Sequence, residues 1–219
     1  MQRKFFLCVV FGLSQCVWPL AALAQPAAKT YQVGVVLAGG AYYQTLEGLR
    51  DGLKELGLEE GKRVVFHVYD TKGDTKAAET AAVKLEDKKV DLIYSLPSSV
   101  SLAVQRATKT SPIVFYAGSD PVEAGLVKSY GSPGGRLTGV HSMSSDLTGK
   151  RLELLKEIAP KVRRIVTFYN PGNPVAGVSV KSAREAARRL GIEVVENEIR
   201  SADELRLGLE KVKTDEGDA

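Results

Sequence analysis

The sequence predicts an α/β protein with two Rossmann-like, doubly wound lobes, the second of them truncated. From residue 31 onward, short runs rich in β-branched residues alternate with stretches of helical periodicity. Most of these runs are apolar throughout, as strands are when helices cover both faces of a parallel sheet. The alternation gives about five strands in residues 31–140 and then restarts, but it yields only two further strands before residue 219.

The first lobe is predicted over residues 31–143. Its strands are expected at Tyr31–Leu37, Arg63–Tyr69, Val90–Ser95, Ile113–Ala117 and Leu137–Val140. Its helices are expected at Thr45–Leu58, Asp74–Asp87, Ser99–Thr108 and, as a short helix, Pro121–Ser129. Because crossovers between parallel strands are right-handed, these helices should lie on both faces of one sheet.

The second lobe is predicted over residues 144–219. Helices are expected at Leu147–Ile158, Val175–Leu190 and Ala202–Lys213, and strands at Arg164–Tyr169 and Ile192–Glu198. Two strands do not make a stable doubly wound sheet by themselves. We therefore expect this region to be part of a larger lobe.

Residues 1–24 have the features of a secretory signal peptide. Arg3 and Lys4 form a basic start, Phe5–Leu23 is mainly apolar, and Ala22-Leu23-Ala24 is a small-x-small cleavage site. We expect cleavage after this tripeptide and release of the mature chain into the periplasm.

A membrane anchor is the alternative interpretation of this segment. Ser14, Gln15 and Pro19 interrupt the apolar run and weaken it as a spanning helix. Lipidation at Cys16 is not expected, because lipoprotein signals have a small residue before the cysteine. Since Cys8 also lies here, the mature chain is predicted to contain no thiol and no disulfide.

Composition and charge exclude several classes of protein. Hydrophobic residues make up 44% of the 219 residues, which is typical of a globular chain and not of a disordered one. The 30 Lys and Arg exceed the 26 Asp and Glu by only four, and the charges are interspersed. Because there is no basic stripe, we expect no nucleic-acid partner.

The sequence carries no strong catalytic or cofactor motif. His67 and His141 are the only histidines, and neither belongs to a metal-ligand pattern. Gly39-Gly40 lacks the G-x-G-x-x-G spacing of a dinucleotide site, although Asp70 stands where a ribose-binding acid would. We therefore predict a non-catalytic protein with no cofactor and no metal.

Candidate ligand-binding residues follow the predicted strands, since ligands of open parallel sheets bind beyond the carboxyl ends of the strands. They are Tyr42, Tyr43, Ser98, Ser99, Asp120, Asn170 and Asn173. The residues that flank them in the sequence are rich in Gly, Pro and Ser, which is typical of turns.

Three of these residues have a capping alternative. Ser98 and Ser99 begin a helix, where free amide groups and the helix dipole attract a carboxylate, but a serine there can also cap the helix. Asp120, just before a proline, is either an N-cap or an acceptor for a ligand ammonium. Together they predict a site for a zwitterion.

The other four candidates also have two interpretations. Tyr42 and Tyr43 either stack on a planar ligand or pack at the start of the first helix. Asn170 and Asn173 either hydrogen-bond a ligand or serve the turn Asn-Pro-Gly-Asn-Pro.

A series of stretches, in this order, resembles the bacterial ABC-transporter substrate-binding proteins of the tryptophan/tyrosine-binding type, which are periplasmic-binding-protein-like (type I). They are Glu47–Gly57, Glu60–Lys62, Val90–Ile93, Ser111–Phe115, Ser119–Val127, Pro133–Gly135, Thr138–Val140, Lys150–Leu155 and Tyr169–Pro174. The resemblance implies two lobes that close around a small solute, an amino acid or an analogue, and deliver it to a permease in the inner membrane. Members of the family are longer, in agreement with the expected truncation.

The resemblance also implies roles for individual residues. It places ligand contacts at Ser98, Asp120, Asn170 and Asn173. Arg136 departs from the pattern, because the family usually has Asn at this position.

Other functions remain open at this point. The same fold serves as a ligand sensor for a membrane receptor, and an exported hydrolase or nucleotide-using enzyme is a further alternative. A chain with an unfinished lobe is also expected to be non-functional in some cases. We expect a monomer.

Overall fold

A computed structural model of the chain describes residues 29–212. Its strands are β1 Tyr31–Leu37, β2 Val64–Asp70, β3 Leu92–Leu96, β4 Ile113–Ala117, β5 Leu137–His141, β6 Arg164–Tyr169 and β7 Glu193–Glu198. Its helices are α1 Tyr42–Glu55, α2 Thr75–Asp87, α3 Ser98–Ala107, α4 Thr148–Ile158, α5 Ala176–Leu190 and α6 Ala202–Val212. The predicted signal peptide, including Cys16, lies outside the described residues.

The strands form two separate parallel sheets. The first has the order β2-β1-β3-β4-β5, and the second contains β6 and β7. We call the first sheet with α1–α3 lobe one, and the second sheet with α4–α6 lobe two. The first strand order is a doubly wound arrangement, which confirms the predicted fold class.

Lobe one buries apolar residues on both faces of its sheet. On one face Val36, Ile93 and Ile113 pack against α2 and α3, with Leu85 and Val104 fully buried. The other face packs against α1 through a cluster formed by Val33, Val35, Leu37, Leu46, Val64, Tyr94 and Leu96. Successive residues of β1 thus serve opposite faces, as the pleat of a strand requires.

Lobe two has a smaller core on one side of its sheet. Leu152 of α4, Ile165 of β6 and Ala187 of α5 belong to one buried cluster with Val162 and Ile192. α6 has no buried residue, and its Leu207 and Leu209 are exposed. None of the helices in residues 29–212 is long and apolar enough to cross a membrane.

The loop that leads into β4 is tied down by a glutamate on α2. Glu86 Oε1 accepts hydrogen bonds from the backbone amides of Lys109, Thr110 and Ser111 at 2.9, 2.8 and 3.0 Å. Desolvation opposes ionisation of this carboxyl, but the three amides outweigh it and lower its pKa to about 2. Glu86 therefore anchors the loop as a carboxylate.

Arg136, the residue that departs from the family pattern, closes the end of α3. Its guanidinium donates to the carbonyl oxygens of Gln105, Thr108 and Ser111 at 2.7, 2.6 and 2.9 Å. Cations at the carboxyl end of a helix complement its dipole. The position therefore has a structural role, remote from the loops that follow the strands.

One predicted element is wrong. Residues 121–129 form turns instead of the expected short helix. Leu126 N donates to the Pro121 carbonyl, but Gly125 adopts a φ of +78°, which is left-handed and ends the turn. The remaining predicted helices and strands exist, with ends that differ by up to three residues.

Candidate functional site

The loops after β1, β3, β4 and β6 meet at one place and enclose two adjoining cavities, of about 200 and 270 Å³. The first is lined by Tyr42, Pro97, Ser98, Ser99, Gly118, Ser119, Ser144, Asn173, Val175 and Ser179. The second is lined by Ala38, Gly73, Thr75, Pro97, Ser99, Asn170, Gly172, Asn173 and Pro174. We call these two cavities the cleft, because both lobes contribute to it.

A third cavity, of about 250 Å³, lies elsewhere on lobe one. Tyr31, Val64 and Leu92 at the amino ends of strands line it, together with leucines of α1. Because its lining consists of aliphatic side chains and tyrosine rings, it lacks the convergent polar groups of a ligand site.

Ser98 does not cap its own helix. The N-cap of α3 is Pro97, and no side chain caps that end. The Ser98 hydroxyl oxygen instead accepts hydrogen bonds from Gly118 N at 3.1 Å and Ser119 Oγ at 3.0 Å. Ser98 is 2% exposed, so this bond network joins α3 firmly to the loop after β4.

The first amides of α3 have no intrahelical acceptor. The first intrahelical bond runs from Ser101 N to the Pro97 carbonyl at 2.9 Å. The amides of Ser98, Ser99 and Val100 precede it and carry the positive end of the helix dipole. Since Ser99 lines both cavities, this helix start places a positive backbone end beside the cleft.

Asp120 lies outside the lining of the cleft. Its Oδ1 accepts hydrogen bonds from Val122 N at 2.7 Å and Glu123 N at 3.1 Å, so it caps the turn that stands in place of the expected helix. Burial acts to raise its pKa, but the Glu123 amide, the Tyr130 hydroxyl and the Val122 amide lower it on balance. The structure thus favours the capping interpretation and does not bring Asp120 to a ligand.

The two tyrosines take different positions in the first turn of α1, which begins earlier than predicted. Tyr42 lines the first cavity, and its burial raises the pKa of its hydroxyl. Tyr43 is 41% exposed and donates a hydrogen bond to Asp70 Oδ2 at 3.2 Å. Only Tyr42 of this pair is presented to the cleft.

Asn170 and Asn173 build a turn that also lines the cleft. Asn170 Oδ1 accepts a bond from Gly172 N at 2.8 Å, and Asn173 Oδ1 accepts one from Val175 N at 3.1 Å. These bonds build the turn after β6. The same turn lines the cleft from lobe two, so turn geometry and access to a ligand are compatible here.

Several residues of the lining were not predicted from the sequence. Ser119 stands beside a predicted candidate and could have been included from its place after β4. Ser144 reaches the first cavity because its amide bonds to the Gly118 carbonyl, and Ser179, on α5, reaches it because lobe two lies against lobe one. No local pattern identifies such residues.

The histidines have structural surroundings. His67 Nε2 lies 2.8 Å from Gln32 Oε1 on the neighbouring strand, and His141 stacks on Tyr130 with ring centroids 5.4 Å apart. Within residues 29–212, no group of three His, Cys, Asp or Glu side chains is arranged to hold a metal ion.

Comparison with known proteins identifies the family. The model of the ABC transporter substrate binding protein family matches residues 31–219, so the chain belongs to that family. The tyrosine-binding protein of Clostridioides difficile is 33% identical over 159 residues, which are 73% of this chain and 46% of that protein. This chain thus spans about half the length of that curated relative.

Solved structures show the same fold. A conserved domain protein from Vibrio cholerae has a TM-score of 0.79 and 33% identity, over 84% of this chain and 62% of that one. The ABC domain in complex with L-Trp from Streptococcus pneumoniae has a TM-score of 0.76 and 24% identity, over 85% and 63%. The recognised resemblance to this family is confirmed.

Proposed function

We propose that this chain belongs to the solute-binding component of an ABC importer and holds a small carboxylate-bearing molecule between its lobes, without changing it chemically. The observation that carries this proposal is the uncapped start of α3, which lies against both cavities. Family membership supports the transport role.

The chemistry of the first cavity suits a carboxylate. The Ser98 oxygen already accepts hydrogen bonds from three donors, Gly118 N, Ser119 N and Ser119 Oγ, so its own proton is available to a ligand acceptor. The amide of Ser99 supplies a further donor at the positive end of the helix. A carboxylate there would receive the charge-assisted hydrogen bonds that it needs when removed from water.

An amino acid is the favoured ligand, and tyrosine is the first to test. The curated relative is named for binding tyrosine, and Tyr42 offers an aromatic wall beside the carboxylate position. The role once predicted for Asp120, as partner of the ligand ammonium, loses its support, because that side chain is engaged in capping. Asn170 and Asn173 contact the ligand from lobe two in this proposal.

Binding of L-tyrosine by isothermal titration tests the proposal. We expect Ser98→Ala to weaken the affinity by about 10- to 150-fold, the range for losing a hydrogen bond to a charged group. Ser132→Ala replaces an exposed serine outside the cleft and serves as the matched control. Absence of any heat with tyrosine and with a panel of other amino acids would contradict the proposal.

The proposed location is the periplasm, with the permease in the inner membrane as partner, no cofactor, and a monomeric state. Trp18 is the only tryptophan of the chain and lies in the predicted signal peptide. Periplasmic protein should therefore begin at Gln25 on N-terminal sequencing and lack tryptophan fluorescence. Recovery of Trp18 in that fraction would rule out cleavage at the predicted site.

A further inference from the structure

The segment between β4 and β5, residues 120–130, is not helical but is ordered by internal hydrogen bonds. Asp120 Oδ1 accepts hydrogen bonds from the amides of Val122 and Glu123, which holds the start of the segment. A hydrogen bond to Asp120 raises the pKa of Tyr130 to about 12. Asp120 thus orders the turn that carries Glu123.

The same segment is attached to the strand from which the chain leaves lobe one. The ring of Tyr130 stacks on His141, the last residue of β5, with an interplanar angle of 22°. Immediately afterwards, Ser142 N and Ser144 N donate to the carbonyls of Ala117 and Gly118 at 2.9 and 3.1 Å. The segment therefore rests on the crossover that connects the two lobes.

From this support Glu123 reaches across to lobe two. Its Oε1 lies 2.7 Å from Nζ of Lys181 on α5, 58 residues further along the chain. The hydrogen bond to Glu123 raises the pKa of Lys181. Among the described helices and strands, none of lobe one packs extensively against one of lobe two, so single side-chain bridges matter here.

We propose that Glu123 and Lys181 form an interlobe bridge that favours the approach of the lobes over the cleft, and that Asp120 and Tyr130 are positioning residues for Glu123. The biological use of this bridge rests on the proposed function, since closing the cleft matters only if a ligand enters it. The physical argument is that a side chain on a pre-ordered support loses less conformational freedom when it pairs.

Pulsed EPR between labels on the two lobes tests the bridge without any ligand. Val83→Cys and Ile158→Cys place labels at exposed positions, and Cys8 and Cys16 are replaced by serine in the same chain. We expect Lys181→Gln to reduce the population at the wild-type distance, relative to more separated lobes, by about two- to fivefold at low salt. Unchanged distances would overturn the proposal.

Matched variants separate the bridge from general damage. Lys150→Gln removes a similar ion pair within α4, with Glu153, and should leave the interlobe distance unchanged. The exchanged pair Glu123→Lys with Lys181→Glu should restore the wild-type distribution. A Lys150 variant with the same shift, or an exchanged pair with no recovery, would contradict an ionic bridge.

The positioning role has its own readout. Asp120→Ala should widen the interlobe distances, while Asp120→Asn should keep them, because Asn also accepts the amide bonds. When Asp120→Ala is combined with Lys181→Gln, the interlobe distances should change no further than in Lys181→Gln alone. Additive changes would contradict a role of Asp120 that acts through the bridge. Titration of L-tyrosine into the same variants distinguishes the two proposals. If the unmodified chain does not bind tyrosine, only the proposed function is overturned, because the interlobe distances are measured without ligand.

Discussion

The two lobes differ in how completely their sheets are covered. In lobe one both faces of a five-stranded sheet are packed, and β1 alone contributes four fully or nearly fully buried aliphatic side chains. In lobe two one cluster covers a two-stranded sheet, while α6 buries none of its residues. Over residues 29–212 the same alternation of strands and helices is therefore packed more completely in lobe one than in lobe two, and the cleft lies between them.

The largest effect should come from truncating a core side chain in each lobe. Ile93 of β3 is completely buried between two packed faces, so Ile93→Ala should cost about 3–5 kcal/mol of the free energy of unfolding. Ile165 of β6 is 7% exposed in the smaller cluster, where its surroundings can relax, and Ile165→Ala should cost about 2 kcal/mol. Urea denaturation followed by circular dichroism measures both, and equal costs would remove the contrast between the lobes.

The next effect concerns polar anchors. Arg136→Ala removes three hydrogen bonds to carbonyl oxygens at the end of α3 and should cost about 2–3 kcal/mol. Arg184→Ala removes an exposed pair with Glu196 in lobe two and should cost less than about 1 kcal/mol. Thermal unfolding of the two variants compares them directly, and a larger loss for Arg184→Ala would contradict the expected difference between the two anchors.

A smaller effect should depend on pH. Since the pKa of Glu86 is lowered to about 2 from its ordinary value of 4.5, its carboxylate stabilises the folded state fully above pH 4.5. This contribution falls as the pH drops from 4.5 towards 2. Glu86→Gln should therefore cost about 1–2 kcal/mol at pH 6 and progressively less below pH 4.5.

The control for this pH dependence is Glu79→Gln. Glu79 lies on α2, as Glu86 does, and forms an exposed ion pair with Arg106 of α3. This substitution should change stability little at either pH. If the cost of Glu86→Gln stayed constant between pH 6 and pH 3, the loop amides would not be the cause of a lowered pKa of Glu86.

The sequence predicted the strands well because their apolar runs are long enough to identify without tertiary information. Ile113–Ala117 and Arg164–Tyr169 have the predicted limits. Residues 121–129 were predicted as a helix because nothing local shows that Gly125 turns left-handed. The segment instead forms a short turn that is capped by Asp120.

The candidate site was predictable only in outline. Its place at the carboxyl ends of the strands followed from the topology, and the turn of Asn170 and Asn173 followed from its residues. The role of Ser98 did not, since its partners on Gly118 and Ser119 lie on another loop. Bonds between loops depend on tertiary structure, which no spacing in one segment reveals.

In the proposed function the start of α3 holds a ligand carboxylate. Titration of the chain with L-tyrosine and with tyramine, which lacks the carboxylate, tests this claim most directly. We predict that tyramine binds at least about 10-fold more weakly and that Ser98→Ala weakens the binding of tyrosine much more than that of tyramine. Equal affinities for the two compounds, with tyrosine binding unaffected by Ser98→Ala, would contradict it.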